Sequence, residues 1–66
     1  MANFTTKIKN EAWSYLTFAI KDQLTRTPRE YDLPALADRI ARQTADKYTV
    51  DYLKVLNYLE DRYKKE

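Results

Sequence analysis

Not one of the 66 residues is glycine, and that omission narrows the folds open to this chain more than any motif in it. Glycine supplies the positive-φ positions that stop helices and close two-residue hairpins at little steric cost. A chain without it is built most simply from helices joined by short turns of Asp, Asn, Thr and Pro. Histidine and cysteine are missing as well. Their absence removes the commonest general base, the best side-chain nucleophile and the usual zinc ligands. No glycine-rich phosphate loop and no calcium-loop spacing of carboxylates occurs. Asp38 with Arg42 and Glu60 with Lys64 pair acid with base at helical spacing, as on a solvated helix face. The expectation is an all-α domain that is not an enzyme, holds no metal or cofactor and takes no small-molecule substrate.

A chain this short buries only roughly 60% of its unfolded surface. Large side chains must then do much of the packing, and nine aromatics, six of them tyrosine, are present. Part of the stability could also come from self-association, so a homodimer is one expectation. The formal net charge is only +2, too small to imply a polyanionic partner by itself. The basic excess falls in residues 1 to 31, which hold Lys7, Lys9, Lys21, Arg26 and Arg29 against Glu11, Asp22 and Glu30. No apolar run approaches the roughly 20 residues that span a bilayer, and no signal-peptide pattern opens the chain. A cytoplasmic protein without membrane contact is expected.

Periodicity divides the chain into three helices, near 6–26, 33–45 and 49–64. In the first, Ile8, Ala12, Tyr15, Leu16 and Ala19 form a stripe that Trp13, Ile20 and Leu24 widen, with Phe18 on the far side. Thr5 or Thr6 is its cap, and Pro28 forces its end near Thr25 or Arg26. Asp32 caps the second helix with Pro34 in its first turn. Leu33, Leu36, Ala37, Ile40, Ala41 and Thr44 make its apolar face. Residues 45–48 read as a turn, and Thr49 as the cap of the third helix. Tyr52, Leu53, Val55, Leu56, Leu59 and Tyr63 form that helix's apolar arc, while Tyr58 stands apart beside Lys54, Asp51 and Arg62. The expected architecture is a small three-helix bundle.

The stretch from Leu36 to Leu56, LADRIARQTADKYTVDYLKVL, resembles a helix-turn-helix unit. It pairs an amphipathic helix bearing Ile40 and Ala41, a small residue at Ala45, a short polar turn and a Thr-Val entry into a longer helix. The turn lacks the usual glycine, and Val50 comes one residue early relative to Ala41. The resemblance implies binding to double-stranded DNA, with the third helix in the major groove and the second bracing the backbone. Arg39, Arg42, Lys47, Tyr48 and Thr49 would then meet phosphates. Lys54, Asn57 and Tyr58 would face outward, where lysine can pair with guanine and asparagine with adenine. Asp51, in the first turn of the reading helix, and Asp38 and Asp46, flanking Arg42, oppose that use. An ordinary αα-hairpin with a solvated outer face accounts for the same residues.

The aromatics carry an alternative. Tyrosine and tryptophan dominate protein-interface hot spots, and Trp13, Phe18, Tyr58 and Tyr63 are candidates for contact with a larger protein partner. On that reading the chain is an adaptor or inhibitor, of the kind phages and mobile elements encode. Scattered exposed aromatics, however, also occur without any binding role.

Overall fold

In the computed structural model, which describes residues 3–65, three helices account for most of the chain. They are α1 (Thr6–Arg26), α2 (Leu33–Tyr48) and α3 (Tyr52–Lys65), with a single 3-10 turn at Pro28–Glu30. Each helix contacts the other two, giving an all-α three-helix bundle.

Thr5 stands in extended backbone before α1, and its Oγ1 accepts from the Ile8 amide at 3.4 Å. That bond satisfies one of the helix's free first-turn donors. Pro28 begins the 3-10 turn immediately beyond α1, and the Gln23 side-chain amide donates to both Thr27 Oγ1 and the Glu30 carbonyl at 3.1 Å. One side chain thus ties the end of α1 to the chain's reversal. Asp32 then caps α2 through the Ala35 amide at 3.3 Å.

The second connection differs from the sequence expectation. Ala45 to Tyr48 continue α2 instead of forming a turn. No proline interrupts them, and both Lys47 and Tyr48 gain contacts on other parts of the bundle that hold the last turn in place. Thr49 is the left-handed C-cap of α2, with φ 55° and ψ 45°, and not the N-cap of α3. Its amide and that of Val50 both donate to the Ala45 carbonyl. Asp51 takes over the capping role: its side chain accepts from the Leu53 amide at 3.0 Å and its carbonyl from Val55 at 3.2 Å.

Among the described residues Thr49 alone has positive φ. This is the position glycine would ordinarily fill, held here by a β-branched residue at a cost of about 1–2 kcal/mol. Thr49→Gly should therefore stabilise the fold. The expected gain is about 0.5–1 kcal/mol after the added unfolded-chain entropy is subtracted. Urea denaturation followed by circular dichroism measures it, and a lowered midpoint would show that the threonine side chain contributes more than its backbone costs.

Ile8, Ala12 and Leu16 from α1 meet Leu36, Ala37, Ile40 and Ala41 from α2 and Val50, Val55 and Leu59 from the turn and α3. Thr44, on the α2 stripe as expected, is also buried. Three stripe residues are misassigned by periodicity. Leu53 is 59% exposed, Leu24 48% and Tyr15 39%: α3 contributes only a narrow buried seam, α1 buries no residue beyond Leu16, and the Tyr15 hydroxyl is turned to Glu11 and Lys47 at the surface. Tyr58 departs in the opposite direction, being half-buried against the core. Among the described residues no helix is long and apolar enough to cross a membrane.

Candidate nucleic-acid interface

α3 runs beside the first half of α1, and this pairing brings together residues that are far apart in sequence. The Tyr58 ring meets Phe4 edge-on, with centroids 5.7 Å apart at 82°. Lys9 from α1 lies over both rings, its Nζ 5.6 Å from the Phe4 centroid and 5.8 Å from that of Tyr58. Aromatic faces attract a cation electrostatically, so the two rings steer the lysine stem while its ammonium stays near solvent. Lys54 and Asn57, both exposed, border the same shallow depression together with Asn3. Two cations, two amide side chains and two aromatics therefore share one open surface. A nucleic acid offers groups that each of these chemistries can meet: phosphates, base edges and base or sugar faces.

The expected phosphate contacts on α2 lie elsewhere and are largely engaged within the protein. Arg42 donates to Asp38 at 2.9 Å and stacks 5.3 Å from the Tyr52 ring centroid. The Tyr52 hydroxyl bonds the other oxygen of the same carboxylate. Lys47 reaches across to α1, where its Nζ donates to Glu11 Oε1 at 3.2 Å and to the Tyr15 hydroxyl at 3.1 Å. Tyr15 in turn donates to Glu11 at 2.9 Å. That hydroxyl bond, and then the Lys47 ammonium, hold the Glu11 carboxyl below its usual range against some opposing desolvation. Accepting bonds from Lys47, Tyr15 and Glu11 correspondingly raise the lysine's pKa. Tyr48 is half-buried, with Lys47 over its ring at 5.2 Å. Arg39 lies on the groove between α1 and α2, away from α3. Thr49 is exposed at the turn. No family model, curated protein or solved structure matches the chain. The site's meaning therefore comes from its own geometry.

Of the aromatic candidates, Trp13 and Tyr63 are half-buried against the core. The Arg62 guanidinium lies 4.5 Å from the Trp13 ring centroid and donates to the Tyr58 hydroxyl at 2.7 Å. These contacts give Trp13, Tyr58 and Tyr63 packing work inside the domain. Phe18 is the exception, 74% exposed. Sequence reasoning missed Asn3, Phe4 and Lys9. The basic excess near the start of the chain was the visible signal, but its meeting with α3 requires knowing that α3 folds back along α1.

Proposed function

We propose that this chain binds double-stranded DNA, with α3 entering the major groove and Lys9 reinforcing it from α1. The observation that carries the reading is the link between α2 and α3. It is three residues long, 49–51, and turns on a left-handed Thr49 where a helix-turn-helix commonly has glycine. The missing glycine is thus no obstacle to such a turn, and Val50 buries itself beneath it. Lys54 and Asn57 lie outward on the second helix of the unit, and Lys9 adds a cation beside them. Lys54 and Lys9 act on phosphates, and Asn57 reads a base edge. Asp51, whose oxygen is engaged by the Leu53 amide, works as a cap in this arrangement. A cytoplasmic setting goes with the proposal.

Fluorescence anisotropy with duplexes selected from a randomised pool tests it. Specific binding should exceed the roughly 10⁻⁴–10⁻⁶ M of non-specific contact at physiological salt. Asn57→Ala should cost about 1–3 kcal/mol on the selected site and little on random duplex. Lys54→Ala should weaken both and lower the salt slope by about one ion. Binding no tighter than the non-specific range would end the DNA reading.

A further inference from the structure

Away from α3, the second half of α1 and the first half of α2 leave an open groove of 310 Å³ between them. Ala19, Leu36 and Ile40 line it, Phe18 borders it, and the charged groups are Asp22 on the α1 wall and Arg39 on the α2 wall. None of Lys9, Lys54 and Asn57 borders this groove, so the inference stands independently of the DNA reading. Phe18 is the most exposed of the large hydrophobics described. An apolar ring held in water beside a hollow floored by Ala19, Leu36 and Ile40 and edged by Gln23 and Gln43 is an unmatched knob next to an unfilled hole.

The charges identify what fills it. A two-fold axis places the same patch of both protomers face to face, so the patch must complement itself. One acid and one base on opposite walls meet that condition: Asp22 of each copy can face Arg39 of the other. Arg39 has no ion-pair partner among the described residues, and Asp22 has only Arg26 on its own helix, at 3.2 Å in an exposed pair. Such surface pairs contribute little, so Asp22 can be shared.

We propose that a second copy of this chain occupies the groove, docked about a two-fold axis with Phe18 of each protomer in the groove of the other. Each Phe18 fills the hollow over Ala19 and Ile40, and two reciprocal Asp22–Arg39 pairs fix the register.

Sedimentation equilibrium at micromolar to sub-millimolar concentration, with circular dichroism as a control for folding, tests this. The wild-type chain should reach dimer mass. Phe18→Ser should weaken the association about tenfold or more with helicity unchanged, as expected for a central aromatic anchor. Arg39→Asp should weaken it as well, by setting like charges opposite one another. Combining Asp22→Arg with Arg39→Asp should recover dimerisation, because the reversed pairs complement each other again. A wild-type monomer throughout would overturn the proposal, leaving the groove to a different polypeptide or to solvent. A dimer indifferent to both Phe18→Ser and Arg39→Asp would overturn it equally, since association would then use another face.

Discussion

Leu59→Ala is expected to remove about 3–5 kcal/mol of stability, enough to leave the domain marginal or unfolded. Leu59 is fully buried, and α3 contributes only Val55 and Leu59 to the fully enclosed core. Truncation leaves a cavity between the helices that meet there, and a short α3 has little else with which to hold its place. Against a total of roughly 3–10 kcal/mol for a domain of this size, the loss is a large fraction. Thermal melting by circular dichroism should show a midpoint lowered by at least about 12 °C. A loss below about 1 kcal/mol would mean that the core collapses around the missing side chain, beyond what close packing ordinarily permits.

Trp13→Ala should have the next largest effect, about 2–3 kcal/mol. That is less than for a fully buried tryptophan, because Trp13 remains partly exposed. The loss has two sources, apolar area and the seat of Arg62. With the ring gone, the guanidinium that lies 4.5 Å from its centroid keeps only the Tyr58 hydroxyl. A double-mutant cycle with Arg62→Ala separates the two, and the coupling should be about 0.5–1 kcal/mol. Zero coupling would assign the whole loss to packing.

What could be read from the sequence was what depends on neighbours along the chain. A threonine cap for α1 at Thr5 or Thr6, Asp32 as the cap of α2, the stop before Pro28 and the Leu36–Ile40 face of α2 follow from local hydrogen-bonding and periodic rules, and the structure has each of them, with Thr5 as the first cap. The i, i+4 pairing of Asp38 with Arg42 and of Glu60 with Lys64 appears as well. The turn at Thr49 was not legible, because its polar neighbours Asp46 and Lys47 look like a loop until Glu11 is known to await the lysine. Helical periodicity likewise marks a side chain as apolar-facing without saying whether another helix reaches it. Leu53 and Leu24 therefore look buried on a helical wheel and are not. Lys9, Lys54 and Asn57 converge only through the approach of α3 to α1, a long-range contact that no local pattern encodes.

The order in which the helices pack has a kinetic consequence. α1 packs on α2 and α2 on α3, each across a short connection, and α1 and α3 are the pair of helices that are not consecutive in the chain. Most contacts therefore carry a small loop-closure entropy, which places the domain with helical bundles that fold in microseconds to milliseconds. The same ordering leads one to expect the α1–α3 seam to close last, since its closure spans the whole of α2. The surface shared by Lys9, Lys54 and Asn57 depends on that seam, so on this expectation it is a late product of folding, assembled when the seam forms and dispersed whenever it opens.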